Sequence, residues 1–170
     1  MKRNIRKRGA DMMQTLLYAM FALMVLVGTL YIWSMIDIRR AKAETTTVAS
    51  QISSEVRAMF TGYSSFERLT TDLMIDVGSV PNSNVRDVGG VKTIMIPHGG
   101  NISLTNGTEQ HSFIANVSWP ENGRAPKSVC LHMSSTGINE VSSGPMGTNY
   151  KITDADCDAA SPYVTTTYYR

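Results

Sequence analysis

Three absences define this sequence before any motif is considered. It has only two cysteines, no charged residue from Met12 to Ile36, and no proline or glycine from Asp37 to Phe60. Two cysteines are too few for a disulfide-dense small scaffold or for a four-cysteine metal site. The Gly-x-Ser-x-Gly motif, which holds the nucleophile of many hydrolases, does not occur either. The sequence therefore offers few signals of catalytic chemistry.

The uncharged stretch has the length and the flanks of a membrane helix. Leu16–Ile36 is 21 residues long, which at about 1.5 Å per residue matches the ~30 Å hydrocarbon core of a bilayer. Five of the eight residues before Gly9 are Lys or Arg, so the positive-inside rule keeps the N-terminus in the cytoplasm. The alternative is a secretory signal cleaved at Ala41-Lys42-Ala43, but the apolar run is too long and charged residues precede that site.

The charge of the chain divides at Gly9. The residues before it hold five of the 16 Lys and Arg and none of the 14 Asp and Glu, so the remainder has 11 minus 14, a net charge of −3. A mildly acidic remainder argues against a broad basic surface, and we expect no nucleic-acid partner. Cys130 and Cys157 both lie in the exported part, where an oxidising compartment favours their pairing. Two unpaired thiols are the alternative.

The helix is predicted to continue beyond the membrane stretch. One apolar stripe repeats every four residues, at Val48, Ile52, Val56 and Phe60. A continuous helix from Ala10 to Phe60 would be about 76 Å long. Gly62–Ser65 ends it and supplies the N-cap of a second helix, predicted over Phe66–Val77. That second helix would have one apolar face of Phe66, Leu69, Leu73 and Val77.

Short strands are predicted beyond Pro81. Alternating apolar and polar residues indicate strands at Val91–Ile96, Asn101–Thr105 and His111–Trp119, with Asn106-Gly107 as a hairpin signal. Further predictions are a short helix opened by Pro126 and capped by Gly137, a candidate strand at Ile138–Val141, a capped helical turn at Thr153–Cys157 and a strand at Tyr163–Tyr169. The predicted fold class is α+β, a long N-terminal helix packed on a small antiparallel sheet.

The order of these features resembles a type IV prepilin: a basic leader ending in glycine, an uncharged helix, an amphipathic continuation, an antiparallel sheet and a late cysteine pair. The head is similar to the type IVb branch, which includes bundle-forming pilins and plasmid-encoded thin-pilus pilins. This similarity is carried by Gly62–Leu73, Val80-Pro81, His98–Leu104, Ser112–Ile114, Pro126, Cys130-Leu131, Thr153 and Cys157, which follow the family's order. The resemblance covers essentially the whole chain.

The resemblance implies four segments: a leader at 1–9, a transmembrane and filament-core helix at 10–36, its amphipathic continuation at 37–61 and a globular α+β head at 62–170. A membrane-embedded prepilin peptidase would cut after Gly9 and methylate the amine of Ala10. The filament core would contain Leu16, Leu17, Phe21, Leu23, Val25, Leu26, Gly28 and Leu30. The type IV pilin fold has one disulfide, here Cys130–Cys157.

What the resemblance implies about function is assembly without catalysis. Such a subunit needs no cofactor, no metal and no catalytic residue. Its partners would be further copies of itself in a helical filament, the prepilin peptidase, and an assembly machinery with a cytoplasmic ATPase. The subunit would reside in the inner membrane before assembly and afterwards in an extracellular pilus of a Gram-negative bacterium.

Two departures from the family pattern concern the start of the mature chain. The usual glutamate at the fifth mature position is Gln14 here, and Asp11 at the second is the only nearby carboxylate. In the family this acid is thought to pair with the N-terminal amine of a neighbouring subunit, where an unpaired charge would be expensive. We hypothesise that Asp11 makes this pairing; an interfacial residue near the lipid headgroups is the alternative. The leader of nine residues is also short for the branch, which leaves an upstream start codon open.

Three functions stay open at this stage. The first is a major pilus subunit for adhesion, aggregation or conjugative mating contact, and the second is a minor pilin or pseudopilin that primes or tips a filament. The third is a single-pass anchored periplasmic binding domain, which would keep its N-terminus. Signals for metal binding are weak, because the three histidines are scattered and the alternating Asp154, Asp156 and Asp158 lack the glycine and glutamate of a calcium loop. We expect those aspartates to be cap and surface residues.

Overall fold

A computed structural model of the chain describes residues 3–63, 65–109, 111–136 and 150–169, with side chains from residue 12 onward. It divides into two compact units, Met1–Asp37 and Ile38–Arg170. The elements in chain order are α1 (Arg3–Met59), α2 (Thr71–Asp76), β1 (Val85–Val88), β2 (Val91–Ile96), β3 (Gly100–Asn106), β4 (Ser112–Ser118), α3 (Arg124–Thr136), β5 (Tyr150–Asp156) and β6 (Tyr163–Tyr169). Single 3-10 turns occupy Asn82–Asn84 and Pro97–Gly99. The fold class is α+β, as predicted.

The six strands form one antiparallel sheet in the order β1-β2-β3-β4-β6-β5. The first four strands are sequential neighbours joined by short connections. The last strand of the chain, β6, lies between β4 and β5, so Tyr163–Tyr169 is an interior strand. The sequence predicted strands at Val91–Ile96, Asn101–Thr105, His111–Trp119 and Tyr163–Tyr169, and all four are confirmed with every end within one residue.

The second unit has one hydrophobic core between the sheet and the part of α1 that follows Asp37. The predicted apolar stripe of α1 is buried, with Val56 fully inaccessible and Ile52 1% exposed. Rings of Phe60, Phe66 and Phe113 follow one another at centroid distances of 5.2 Å and 5.2 Å. Aromatic pairs at this separation add to the stabilisation from burial alone. The amphipathic half of α1 is therefore held to the sheet by aliphatic burial and by aromatic contacts.

The prediction of a helix over Phe66–Val77 is wrong in its length. The helix begins only at Thr71, and the extended residue Thr70 is its N-cap, whose Oγ1 accepts the N–H of Leu73 at 3.2 Å. Phe66 and Leu69 are buried from the irregular segment before it, and Val77 is 58% exposed. Apolar residues three or four apart therefore reach the core here without helical backbone, because the aromatic contacts fix Phe66 in a loop.

The predicted helical turn at Thr153–Cys157 is also wrong, since these residues continue strand β5 up to Asp156. The capping signal belongs to the turn after the strand, where the Asp156 carboxylate accepts the backbone N–H groups of Asp158 at 3.0 Å and Ala159 at 2.9 Å. The short strand β1 was not predicted. The predictions for Gly137 and Ile138–Val141 lie outside the described residues.

Two adjacent glycines, Gly99 and Gly100, serve different purposes. Gly99 has a φ of +72°, and the preceding His98 has a φ of 61°, so the turn uses left-handed backbone that favours glycine. Gly100 instead makes room for Trp119: a Cβ atom at Gly100 would lie 2.6 Å from two atoms of the indole ring. The indole Nε1 donates a hydrogen bond to the carbonyl oxygen of Pro97 at 3.2 Å. The turn and the buried tryptophan thus depend on each other.

Candidate assembly segment

The N-terminal apolar run has none of the burial seen in the second unit. Every side chain from Met12 to Ile36 is exposed except Ser34, which is half-buried; Leu16 is 59% exposed and Trp33 74%. Large apolar side chains are normally withdrawn from water. Within the described part of the chain, this is the one helix that is long and apolar enough to span a membrane, judged by length and composition. An environment of lipid or of other protein is therefore energetically more favourable for this segment than water.

Two hydroxyl groups within the segment, those of Thr29 and Ser34, form hydrogen bonds to backbone carbonyl oxygens of the same helix. The hydroxyl of Thr29 donates to the carbonyl oxygens of Val25 at 2.7 Å and Leu26 at 2.9 Å. The hydroxyl of Ser34 donates to the carbonyl oxygen of Tyr31 at 2.8 Å. An unsatisfied polar group in an apolar environment costs several kcal/mol by the usual estimates, about 2–7 kcal/mol. These internal bonds allow the segment to be surrounded by apolar material without that cost.

The predicted filament-core residues lie around the whole helix rather than on one side. The set comprises Leu16, Leu17, Phe21, Leu23, Val25, Leu26, Gly28 and Leu30, all on α1. Successive residues point about 100° apart on a helix, so a set this dense covers its full circumference. An all-round apolar helix belongs in a membrane or inside a larger assembly. At Gly28, no heavy atom of the described residues lies within 4 Å of an added Cβ, which leaves room for close approach of another helix.

The residues of the predicted processing site lie on the backbone of α1. Gly9, Ala10 and Asp11 all fall within Arg3–Met59, and their side chains are outside the described part. Gln14 is described: its Nε2 lies 3.5 Å from the hydroxyl oxygen of Tyr18, one turn further along. Cleavage after Gly9, methylation of Ala10 and the assembly roles of Asp11 and Gln14 stay predictions.

The predicted disulfide is confirmed. Cys130 on α3 is bonded to Cys157, which directly follows β5, with a Cα–Cα distance of 5.6 Å. Both residues are buried, at 0% and 8% exposure. The bridge closes a sequence separation of 27 residues, and closing a loop of that length stabilises a fold by roughly 3–4 kcal/mol in the chain-entropy model. The bridge ties α3 to the end of β5, which is an edge strand of the sheet.

The alternating aspartates are engaged with protein groups. Asp154 accepts a hydrogen bond from the hydroxyl of Tyr163 at 2.9 Å, and this bond raises the pKa of Tyr163. Asp156 caps the turn after β5, and Asp158 pairs with Lys127 on α3. The expected cap and surface roles are thus confirmed. In the part that the structure describes, no group of three His, Cys, Asp or Glu residues is placed to hold a metal ion.

No family model matches this chain, and no curated protein or solved structure is similar to it at a significant level. The resemblance to pilins therefore depends on the order of features along the chain. A long N-terminal helix, an antiparallel sheet and one disulfide are consistent with a pilin-like fold. The type IVb assignment and the function are finer statements, which we take up as proposals.

Proposed function

We propose that this chain is a structural subunit of a type IVb pilus and polymerises through its N-terminal helix into a surface filament. The observation that carries the proposal is the exposed apolar run from Met12 to Ile36, preceded by a basic leader that ends in Gly9. The role is structural rather than catalytic. The surface filament would serve adhesion, aggregation or conjugative mating contact.

The apolar helix can move from the membrane into a filament without exposing its side chains to water. Lipid tails and neighbouring apolar helices are similar solvents for leucine and valine side chains, so leaving the membrane for a filament changes partners while burial persists. The internal hydrogen bonds of Thr29 and Ser34 hold in either environment because their acceptors belong to the same helix. Small residues such as Ala19, Ala22 and Gly28 permit close helix approach. The inner membrane is the proposed location before assembly and the extracellular filament the proposed location afterwards.

A second candidate is a minor pilin or pseudopilin that primes or tips the filament. Gln14 supports it, because this residue stands where the family's major subunits have a glutamate. A single-pass anchored periplasmic domain is the third candidate.

N-terminal sequencing of the mature protein tests the proposal. The full chain is expressed in a Gram-negative host that makes a prepilin peptidase. A start at Ala10 is the expected result, a start at Met1 indicates an ordinary anchor, and a start at Glu44 indicates a secreted domain. Gly9→Leu should block the cut, whereas the matched change Gly28→Leu within the same helix should leave it intact.

Shearing of the cells then separates the two pilin roles. A major subunit is recovered as the main component of the sheared filament fraction, in amounts that far exceed those of any other filament protein. A minor subunit is processed at the same position but is scarce in that fraction. A correctly processed chain that never leaves the membrane fraction would contradict both pilin roles.

A further inference from the structure

The sequence contains two Asn-Gly pairs, and the structure places them in different surroundings. Asn106 is the last residue of β3 and Gly107 follows it, whereas Asn122-Gly123 directly precedes α3. An Asn-Gly pair can deamidate spontaneously, because the backbone nitrogen of the glycine can attack the side-chain carbonyl carbon of the asparagine. Glycine favours this attack since it has no Cβ to obstruct a close approach. Two identical dipeptides in one chain therefore allow the effect of the fold on this reaction to be isolated.

The attacking nitrogen of Gly107 is held by the fold. Its N–H donates to the carbonyl oxygen of Ser112 at 2.9 Å, which extends the pairing of β3 with β4 beyond Asn106. Ser112 is 1% exposed, so water does not readily replace this acceptor. The space around Gly107 is also closed, since an added Cβ would overlap Oγ and backbone atoms of Ser112. A nitrogen that must lose its proton and move towards the Asn106 side chain is therefore restrained at this pair.

The attacking nitrogen of Gly123 is not restrained in this way. Among the residues that the structure describes, its N–H has no hydrogen-bond acceptor, although its carbonyl oxygen accepts the N–H of Lys127 at 3.0 Å. Both Asn122 and Gly123 are exposed. Nδ2 of Asn122 donates to the carbonyl oxygen of Asp158 at 3.2 Å. Water can replace this exposed bond, which involves the amino group that leaves rather than the carbon that is attacked.

We propose that Asn122 is a site of spontaneous deamidation in the folded protein and that Asn106 is protected from it. A bond forms between the Gly123 nitrogen and Cγ of Asn122, and the bond between Cγ and Nδ2 breaks. The departing amino group takes the proton that the Gly123 nitrogen loses and leaves as ammonia. Water then opens the resulting succinimide ring at either of its carbonyl carbons. The products are aspartate and isoaspartate, and solvent water is the only co-reactant.

The reaction changes the contacts and the charge of the surface around Asn122. The side chain loses the donor that binds the carbonyl oxygen of Asp158. Its new carboxylate lies near the Asp158 carboxylate, which pairs with Lys127, and like charges repel each other. Isoaspartate also lengthens the main chain between β4 and α3 by a methylene group. Each deamidated chain therefore gains a negative charge in this loop and loses the loop's hydrogen bond to the turn after β5.

The test follows both Asn-Gly pairs in the full chain solubilised in detergent, so it does not depend on filament assembly. The protein is incubated at 37 °C and pH 8 in water enriched in heavy oxygen, which hydrolysis of the succinimide incorporates. Digestion after Glu109 and Glu121 in ordinary water at mildly acidic pH separates the two pairs, and mass spectrometry quantifies each product. We expect Asn122 to react roughly tenfold faster than Asn106, which corresponds to about 1.4 kcal/mol of activation free energy.

Three controls separate the effect of the fold from that of the dipeptide. In denaturant both pairs lose their surroundings, so their two rates should approach each other. Gly123→Ala should nearly stop the reaction at Asn122, while an intact disulfide and an unchanged circular dichroism spectrum report the fold. Its added Cβ meets the ring of Pro126 at 3.5 Å, an ordinary contact. Gly62→Ala, whose added Cβ has no described heavy atom within 4 Å, should leave both rates unchanged.

Three results would overturn the proposal. The first is that Asn122 of the folded chain stays unmodified over the time in which the denatured chain reacts. The second is a rate at Asn106 that equals or exceeds the rate at Asn122 in the folded chain. The third is an unchanged rate at Asn122 in Gly123→Ala, since the reaction would then not proceed through attack by the Gly123 nitrogen.

Discussion

The guanidinium carbon of Arg57 on α1 lies 5.9 Å from the centroid of the Tyr168 ring on β6. The same Tyr168 ring also stacks on the ring of Phe113, with 4.9 Å between centroids and 9° between planes. Burial lowers the pKa of Arg57 and raises the pKa of Tyr168 to about 12. A cation over an aromatic ring is worth about 0.5–2 kcal/mol depending on its exposure. The amphipathic half of α1 is thus joined to an interior strand by a polar contact as well as by its apolar stripe.

Tyr168 should make the fold sensitive to alkaline pH. An unfolded tyrosine has a pKa of about 10, and the folded value is raised to about 12. Burial of the neutral Tyr168 phenol therefore contributes its full share to the free energy of unfolding below pH 10. This contribution, up to about 3 kcal/mol, is lost as the pH rises through 12. Tyr168→Phe keeps the ring but cannot ionise, so its free energy of unfolding should fall less over this range. Denaturant unfolding of both proteins at intervals from pH 8 to 12 measures the difference, and equal losses would contradict it.

Gly100→Ala should destabilise the head by about 1–3 kcal/mol, the usual cost of overpacking a core. The new methyl group would lie 2.6 Å from ring atoms of Trp119 and 2.8 Å from Cγ1 of Ile96. Trp119 is 1% exposed, so its ring has no open space to move into. Gly62→Ala is the matched control, because no heavy atom among the described residues lies within 4 Å of its added Cβ. A comparable loss of stability in the two variants would show that the Trp119 contact is not the cause.

The Thr71 hydroxyl accepts a backbone hydrogen bond from β3 beyond the point where its pairing with β2 ends. Removal of this hydroxyl should lower the free energy of unfolding. The pairing between β2 and β3 extends only from Ile94↔Ile102 to Ile96↔Gly100. Beyond it, the backbone N–H of Leu104 donates to Oγ1 of Thr71 at 2.9 Å. Thr71→Val keeps the shape but leaves that N–H without its acceptor, which should cost about 1–3 kcal/mol.

Hydrogen exchange provides the specific readout for Thr71→Val. The Leu104 amide should exchange faster in the variant, relative to amides paired between β3 and β4. Thr105→Val is the control, since Thr105 is an exposed neighbour on β3. An unchanged Leu104 exchange rate in Thr71→Val would refute the role of the hydroxyl.

Asp11 is predicted to control assembly without affecting processing. A carboxylate that pairs with the amine of a neighbouring subunit in an apolar core should be essential, because removing one partner leaves an uncompensated charge. Asp11→Asn and Asp11→Ala should abolish sheared filaments while N-terminal sequencing still shows a start at Ala10. Asp37→Asn is the control at the other end of the apolar run. Normal filament yield from the Asp11 variants would refute the hypothesis.

The parts of the fold that the sequence predicted correctly depend on short-range patterns. The stripe from Val48 to Phe60 and the alternation in β2 to β4 repeat at periods that one element imposes on its own residues. The disulfide followed from compartment and from the presence of a single pair. Two predictions were wrong, the helix over Phe66–Val77 and the helical turn at Thr153–Cys157. In each, the apolar spacing or the capping residue occurs in the sequence, but the structure uses it in a loop or a turn instead of a helix. Phe66 is buried from a loop, and the capping carboxylate of Asp156 serves a turn after a strand.

The candidate assembly segment was predictable because it depends on composition. A helix-length run without charge cannot be stably surrounded by water whatever the rest of the chain does. The contacts of Gly100 with Trp119 and of Thr71 with Leu104 were not predictable. The members of each pair are 19 and 33 residues apart in the sequence, and only the folded sheet brings them together.

The sequence by itself determined that residues 12–36 need an apolar environment and that the following helix buries one stripe. The tertiary structure alone decided the position and the orientation of β6. Its residues alternate between Val164, Thr166 and Tyr168 on the core side and Tyr163, Thr165 and Thr167 on the outer side. Threonine and tyrosine occur on both sides, so the period of two contains no hydrophobic contrast that could fix the face. Pairing with β4 and the stacking of Tyr168 on Phe113 decide which side of β6 faces the core. The residues on its other side, none of which is charged, then belong to the outer face of the sheet.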